Sequence, residues 1–241
     1  MAQVCVIFGA GEYYAGTPVV PTGAYVIAAD GGLDHTRELG IVPDVVVGDF
    51  DSLEGRAPRT DVRTIALPAL KDDPDMLSAL KVGWSAGCRE FHVYGGLGGR
   101  IDHTISGIQL MALLARHGAS GYLYGDGLIV TAITDGRLSF PAHPVPEDGR
   151  MVSAFSHSDV SLGVNEPGLK YELKDSTLTN TVVQGVSNEF RDGVDAAISV
   201  KRGTLIVTFP IKVALPQVSR FHEFGGDIGE LDTEVSKLLV R

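Results

Sequence analysis

Strand–helix alternation in the first half of the chain limits the folds it can adopt. Short apolar runs, among them Val4–Phe8, Tyr25–Ala29 and Val45–Val47, end in glycine or aspartate, and segments with helical spacing lie between them. Strands that alternate with helices indicate a parallel sheet covered by helices. We therefore predict a Rossmann-like α/β domain over residues 1–136.

The pattern changes near Thr134–Arg137. Beyond this point short alternating segments separated by turn residues replace the helical spacing, which is typical of a small antiparallel β-sandwich or barrel. We predict that this β-domain covers residues 137–215. The tail over residues 216–241 contains a possible helix from Leu231 to Val240, and the sequence assigns it no role.

The net charge, the apolar runs and the cysteines indicate which partners and locations to expect. The net charge of −10 disfavours nucleic-acid binding through the phosphate backbone, which needs a basic surface. No apolar run approaches the roughly 20 residues that span a bilayer, and no signal peptide is visible. The two cysteines do not form a disulfide framework in a chain of this size. We expect a cytoplasmic protein that binds neither nucleic acid nor membrane.

Aspartates follow the predicted strands. Asp30 comes after the second apolar run, and the segment Gly48–Ser52 places Asp49 and Asp51 after the third. In an extended segment Asp49 and Asp51 would share one face, because the side-chain period of a strand is two. Carboxylates gathered at the strand ends would repel each other, and Mg²⁺ with substrate phosphates relieves such repulsion. A turn rich in Asp and Ser is the alternative.

A third acidic group marks the start of a helix. In the run Lys71–Asp75 we predict that Asp73 is the helix cap, that Pro74 is the first helical residue and that Asp75 lies in the first turn. Taken alone, these residues are explained as ordinary helix-start signals.

Two glycine motifs are candidates for phosphate contact. Gly31 and Gly32 would let a phosphate approach the start of a helix, although Asp30 before them is also a common helix cap. Gly9-Ala10-Gly11 lacks the third glycine of a dinucleotide fingerprint, since Tyr14 stands there, and no P-loop motif occurs in the chain.

The loop Gly95–Gly99 is the richest glycine segment, with four glycines in five positions after a strand. Such a backbone can wrap closely around a ligand. Arg100 would offer a planar fork to a phosphate or stack on a base, and Asp102 would accept from a ribose hydroxyl or hold Arg100 in place. His103 is either a ligand contact or a residue of the helix cap.

These motifs, in this order, resemble those of the thiamine pyrophosphokinase (thiamine diphosphokinase) family. The segments that carry the resemblance are Ala29–Gly32, Gly48–Ser52, Lys71–Asp75, Gly95–His103 and, in the β-half, Gly185–Asn188. The last segment taken alone reads as a hairpin turn. The resemblance covers residues 3–210, and it departs from the family at Pro74, where Thr or Ser is usual.

The resemblance implies a homodimeric transferase that moves a diphosphoryl group from ATP to thiamine, with ATP and Mg²⁺ in the α/β domain. Thiamine would lie in the β-domain near the subunit interface. The implied catalytic residues are Asp30, Asp49, Asp51 and Asp75, and Asp49, Asp51 and Asp75 would hold the metal. The implied nucleotide-binding residues are Gly31, Gly32, Gly96, Gly98, Gly99, Arg100 and Asp102, and the thiamine-binding residues are Ser187 and Asn188.

Two other functions use the same residues. A Mg²⁺-dependent nucleotide or phosphate-ester hydrolase would turn over ATP without thiamine. A non-catalytic thiamine- or nucleotide-binding protein would bind without forming product. So many carboxylates beside phosphates disfavour simple binding, because charges of one sign repel.

Overall fold

The computed structural model describes residues 3–14, 16, 18–50, 62–146 and 149–235. The chain divides into two compact units. One comprises Met1–Gly107 and Asp227–Arg241, and the other comprises Ile108–Gly226. None of the helices among the described residues combines the length and the hydropathy that crossing a bilayer requires.

The first unit contains a parallel sheet with the strand order β5-β1-β2-β3-β4. Its strands are β1 (Gln3–Phe8), β2 (Tyr25–Ala29), β3 (Val45–Gly48), β4 (Arg63–Ala66) and β5 (Cys88–Tyr94). The chain adds β2, β3 and β4 on one side of β1 and then returns to place β5 on the other side. Such a reversal next to β1 is the place where open α/β sheets bind ligands.

Burial explains why these strands read as apolar runs. Cys5, Val6, Ile7 and Phe8 in β1 have no exposed surface, and all four residues of β3 are buried. Parallel strands covered on both faces lack the polar alternation of a half-exposed sheet. Helix α1 (Gly32–Glu38) packs against β1 and β2, and α2 (Asp75–Ser85) packs against β2, β3 and β5. Helix α3 (Ile101–Arg116) begins in this unit.

The second unit is built from antiparallel strand pairs. Its strands are β6 (Ser120–Tyr124), β7 (Leu128–Phe140), β8 (Met151–Ser156), β9 (Val160–Val164), β10 (Ser176–Thr179), β11 (Asn188–Glu189), β12 (Ala196–Pro210) and β13 (Gln217–Arg220). The long strands β7 and β12 pair along most of their length and supply many of the buried residues of the core. Phe140 packs edge-on against Phe190 and Phe209 there.

The mixed, sheet-dominated α/β fold is the class that the sequence predicts. Several details differ. Residue 136, where we predicted a domain boundary, lies inside the continuous strand β7. Two of the short alternating segments, Ala196–Val200 and Thr204–Phe209, form one strand, β12, with an irregular register between Val200 and Thr204.

The tail also differs from expectation. Gln217–Arg220 forms β13, which pairs with β7. Residues 231–235 are not helical, and the rest of the predicted helix lies outside the described residues. The sequence missed β13 because its burial alternates between exposed and intermediate, without a clear apolar face.

Candidate active site

The candidate site begins where the loops after β1 and β5 meet. The N–H of Gly9 donates to the carbonyl of Tyr94 at 2.8 Å, and the N–H of Gly11 donates to the carbonyl of Gly95 at 3.0 Å. A Cβ on Gly11 would lie 2.4 Å from the Gly95 oxygen, which is too close for any side chain. The glycines after β1 therefore allow two loops to approach at the reversal point of the sheet.

Two of the predicted acidic residues meet at a buried lysine. The ammonium of Lys71 lies 3.1 Å from Oδ2 of Asp49, at the end of β3, and 3.0 Å from Oδ1 of Asp75, at the start of α2. The Lys71 and Asp49 side chains are 7% and 13% exposed, and that of Asp75 is 32% exposed. Residues from two separate elements thus gather around one positive charge.

The electrostatics of Asp75 show that Asp30 belongs to the same group. Burial raises the pKa of Asp75, the Lys71 ammonium lowers it, and the negative charges of Asp49 and Asp30 raise it, so the net direction is upward. Burial lowers the pKa of Lys71, but its hydrogen bonds to Asp75 and Asp49 outweigh that effect and raise it overall. Asp30 and Asp49 therefore lie close enough to Asp75 for their charges to raise its pKa.

Asp30 directly follows β2 and has a left-handed conformation, with φ of +46°. Its N–H donates to the carbonyl of Val47 at 2.8 Å. A Cβ on Gly48 would lie 3.0 Å from the Asp30 Cα, so the ends of β2 and β3 nearly touch. This close approach holds Asp30 beside Asp49.

The segment after β3 is not the extended run that we expected. The strand ends at Gly48, and Phe50 has φ of +59°, a conformation that bulky residues rarely adopt. The Phe50 side chain packs against Ala28, Leu33 and Val46, which compensates for this backbone conformation. The argument that alternation places Asp49 and Asp51 on one face is therefore wrong. Asp51 lies outside the described residues.

The start of α2 also differs from prediction. Pro74 is the N-cap residue, without a side-chain capping hydrogen bond, and Asp75 is the first helical residue. The side chain of Asp73 pairs instead with Lys81, which is buried in the same helix. The prediction that Asp73 caps α2 is wrong because this nearby ammonium is its partner.

The glycine loop after β5 leads into α3. Gly95, Gly98 and Gly99 have φ of +70°, +87° and +61°, values that side chains disfavour. The Gly98 N–H donates to Oγ1 of Thr104 at 3.1 Å, which fastens the loop to the helix. The loop therefore needs its glycines for backbone conformation, in addition to any ligand contact.

Arg100 and Asp102 form a two-pronged pair at the exposed start of α3. The guanidinium donates to both carboxylate oxygens of Asp102, at 3.2 and 2.6 Å. The hydrogen bond from Arg100 holds the pKa of Asp102 below its usual value. The structure matches the option in which Asp102 holds Arg100, and it leaves the arginine at the surface.

Gly31 and Gly32 have different environments at the start of α1. Gly31 is the N-cap residue, and Gly32 lies so close to β1 that a Cβ would stand 1.9 Å from the carbonyl oxygen of Phe8. Packing of the helix against the strand is enough to explain why residue 32 is glycine.

The predicted thiamine residues lie in the second unit. Ser187 is exposed with φ of +60°, and its N–H donates to Oγ of Ser153 at 3.1 Å. Asn188 is 4% exposed. Its amide donates to Glu166 and to the carbonyl of Tyr171, both at 2.8 Å, and its oxygen accepts from the Tyr171 N–H at 3.0 Å. Asn188 thus joins three segments of this unit.

Glu166 is a buried carboxyl group that sequence reasoning missed. It is 1% exposed, and burial raises its pKa although the hydrogen bond from Asn188 opposes the shift. The sequence also left Lys71 without a role. Its position inside an acidic motif was a usable signal, whereas nothing near Glu166 in the sequence marks it.

Comparison with known proteins shows what this chain is similar to. Residues 19–123 match the family model described as thiamin pyrophosphokinase, catalytic domain. This segment is similar to the catalytic domain of the thiamin pyrophosphokinase family. It contains Asp30, Asp49, Lys71, Asp75 and the Gly95–Gly99 loop. The resemblance identified from the motifs is confirmed, and the match supports an ATP-dependent diphosphotransferase.

Solved structures show the same fold. The thiamine pyrophosphokinase from Bacillus subtilis has a TM-score of 0.75 at 20% identity, over 88% of this chain and 100% of that chain. The thiamin pyrophosphokinase from Geobacillus thermodenitrificans gives 0.73 at 20% identity, over 88% and 100%. The Candida albicans thiamin pyrophosphokinase gives 0.68 at 12% identity, over 88% and 90%. No curated protein sequence matches this chain.

Proposed function

We propose that this protein is a thiamine diphosphokinase, which transfers a diphosphoryl group from ATP to thiamine and releases AMP. The observation that carries the proposal is the family match over residues 19–123, because this segment includes the acids that meet at Lys71. We further propose that the α/β part, residues 1–136, binds ATP and that residues 137–215 bind thiamine.

Mg²⁺ is the proposed cofactor, and the donor set fits it. Mg²⁺ in phosphate-transfer sites takes one or two protein carboxylates together with substrate phosphates. Asp49 and Asp75 come from two elements and already share one cation, which supports their role as metal ligands. Asp51 remains the proposed third ligand. Held by these residues, Mg²⁺ would supply positive charge to offset the charge that develops on the phosphates.

Among the described residues, no group of three or more His, Cys, Asp and Glu side chains is placed to hold a metal ion. The proposed site therefore depends on two described carboxylates, on Asp51 and on phosphate oxygens that arrive with the substrate. A site completed by its nucleotide is common for Mg²⁺, which keeps water ligands until phosphates replace them.

The chemical step needs a proton acceptor. The hydroxyl oxygen of thiamine would attack the β-phosphorus, the bond from that phosphorus to the α–β bridging oxygen would break, and AMP would leave with that oxygen. We propose that the hydroxyl proton passes to Asp30 or to one of the other acidic residues of the site, Asp49, Asp51 and Asp75. Positioning and charge compensation supply most of the rate enhancement in such transfers.

Arg100 and the glycine loop are the proposed nucleotide contacts. The Arg100 guanidinium is exposed and paired with Asp102. A phosphate could therefore contact the guanidinium without breaking a buried interaction. Gly96, Gly98 and Gly99 would bring backbone N–H groups close to the nucleotide, and Gly31 and Gly32 would lie beside Asp30 at the end of β2.

On the thiamine side, we propose that Ser187 makes the direct contact and that Asn188 holds the turn in place. The exposure of Ser187 supports the first role, and the internal hydrogen bonds of Asn188 support the second. A homodimer with thiamine near the subunit interface is a further proposal from the family resemblance. A cytoplasmic location is proposed from the two free cysteines.

Phosphorus NMR of the reaction products tests the function. Wild-type protein with ATP, Mg²⁺ and thiamine is expected to give thiamine diphosphate and AMP in equal amounts, and omission of thiamine should stop AMP formation. ADP or phosphate release without thiamine would instead identify a hydrolase. Tight thiamine or nucleotide binding by calorimetry, with no product formed, would identify a binding protein.

A further inference from the structure

The Lys71 side chain contacts both Asp49 and Asp75. Its side chain is 7% exposed, so solvent ions screen the two ion pairs less than they would at the surface. The ammonium donates a hydrogen bond to Asp49 and lies 3.0 Å from Oδ1 of Asp75, and the proposed function assigns both carboxylates to a divalent ion. Lys71 and a metal ion would therefore compete for the same carboxylate oxygen atoms.

Three acidic residues and one lysine make up this group. The negative charges of Asp49 and Asp30 act on Asp75, and the Lys71 ammonium lies beside Asp49 and Asp75. Lys81, the basic residue of α2, pairs with Asp73. A divalent ion that binds Asp49 and Asp75 would therefore meet Lys71 at the same carboxylates.

A purely structural reason for this arrangement is weak. A buried ion pair is often no more stabilising than apolar residues of the same volume, because both charges lose their hydration. The carboxylates are needed for another purpose if the proposed function holds. A lysine beside them would then keep them together when no divalent ion is bound.

We propose that Lys71 is an exchangeable counter-ion of the active site, which occupies the cation position between Asp49 and Asp75 and gives it up when the divalent ion binds. The proposal rests on the proposed function only for the identity of the ion. It makes Lys71 a positioning residue, since it acts on phosphate transfer through the two carboxylates.

The first test measures divalent-ion affinity without nucleotide or thiamine. We would titrate the purified full chain with Mn²⁺, followed by paramagnetic resonance, and with Mg²⁺, followed by calorimetry. Lys71→Met removes the competing charge and keeps the length of the side chain, so the affinity is expected to rise about tenfold. Equal or weaker affinity in Lys71→Met would overturn the proposal.

Lys170→Met is the matched control. Lys170 also pairs with a carboxylate, Oε1 of Glu189 at 2.7 Å, but it is exposed and belongs to the second unit. This variant should bind Mn²⁺ and Mg²⁺ as the wild type does. An equal rise in both variants would show a general effect of net charge and would overturn the specific role of Lys71.

Thermal melting gives a second readout. Without divalent ions, Lys71→Met should melt at a lower temperature than wild type, because its carboxylates repel each other without a counter-ion. Addition of Mg²⁺ should raise the melting temperature more in the variant than in wild type, since only wild type must displace a lysine. A smaller or equal rise would contradict the exchange.

A measurement on wild-type protein remains decisive if Lys71→Met does not fold. Buried ammonium groups exchange protons slowly enough to be followed by nitrogen NMR of labelled lysine. The Lys71 signal, assigned from its loss in Lys71→Arg, should shift when Mg²⁺ is added. A Lys71 signal that stays unchanged at saturating Mg²⁺ would overturn the proposal. These measurements need no turnover, so a wild type that forms no AMP would reject the proposed function separately.

Discussion

The side-chain amide of Asn188 donates a hydrogen bond to Oε2 of Glu166 at 2.8 Å, and both side chains are buried. The same amide also donates to the carbonyl of Tyr171. The turn that carries Ser187 is therefore attached to the interior of its unit through one asparagine. This relationship explains why a residue predicted to bind thiamine is buried.

Asn188→Ala should destabilise the protein and disturb the thiamine side. The substitution leaves the buried Glu166 carboxyl without its donor, which costs about 3 kcal/mol in the free energy of unfolding. Urea denaturation measures this loss. Asn180→Ala is the control, because the Asn180 amide bonds to Asp159 at the surface, and its effect should stay within about 0.5 kcal/mol. Equal losses in the two variants would refute the role of the buried contact.

Glu166 predicts a specific pH dependence of stability. Its pKa is raised above the ordinary 4.5 by burial, so the folded state holds this proton more tightly than the unfolded state does. The contribution of Glu166 to stability is therefore fully present below about pH 4.5 and is lost as the pH rises through the folded pKa. Glu166→Gln keeps the shape and removes the titration.

Denaturation of wild type and Glu166→Gln across the acid to neutral range checks this prediction. The stability of the variant relative to wild type should increase as the pH rises. A constant difference between the two proteins would mean that Glu166 titrates in the folded state as it does in the unfolded state.

Gly32→Ala tests the packing of α1 on β1. The new methyl group would stand 1.9 Å from the Phe8 carbonyl oxygen, so helix and strand must move apart, at a cost of about 1–3 kcal/mol. Thermal unfolding would show the loss. Gly225→Ala is a suitable comparison, since no atom lies within 4 Å of its Cβ position. Equal melting temperatures for Gly32→Ala and Gly225→Ala would show that close packing at Gly32 does not matter for stability.

Arg100→Ala should separate binding from stability. The Arg100–Asp102 pair is exposed, so the melting temperature should not change. If Arg100 binds the nucleotide, the KM for ATP should rise about tenfold or more while the KM for thiamine changes little. Asp102→Asn, which releases the arginine but keeps its charge, should show a smaller rise in the KM for ATP. An unchanged KM for ATP in Arg100→Ala would remove this residue from the nucleotide site.

The sequence predicts the first sheet well because buried parallel strands appear as apolar runs, as Tyr25–Ala29 shows. The sequence predicts less well where the strands of the second unit begin and end. The irregular register of β12 near Gly203 resembles a turn in the sequence, although the strand continues. Pairing with a neighbouring strand decides such a position, and local spacing does not reveal that pairing.

The candidate site was predictable where it follows general rules of α/β sheets. Asp30 and Asp49 end neighbouring strands, so their proximity follows from the parallel order. The part that could not be predicted depends on side-chain packing. Phe50 has a left-handed conformation and packs against a buried cluster that includes Leu33, and Glu166 meets Asn188 across 22 positions of the chain.

Asp49 is the residue proposed to serve thiamine-dependent diphosphoryl transfer through its negative charge. The direct measurement is a coupled assay of AMP release by wild type and Asp49→Asn at saturating ATP, Mg²⁺ and thiamine. Asn keeps the size of the side chain and removes its negative charge, so we expect kcat to fall about 100-fold or more, with wild-type AMP release strictly dependent on thiamine. Full AMP release by Asp49→Asn would show that the reaction does not need the Asp49 carboxylate.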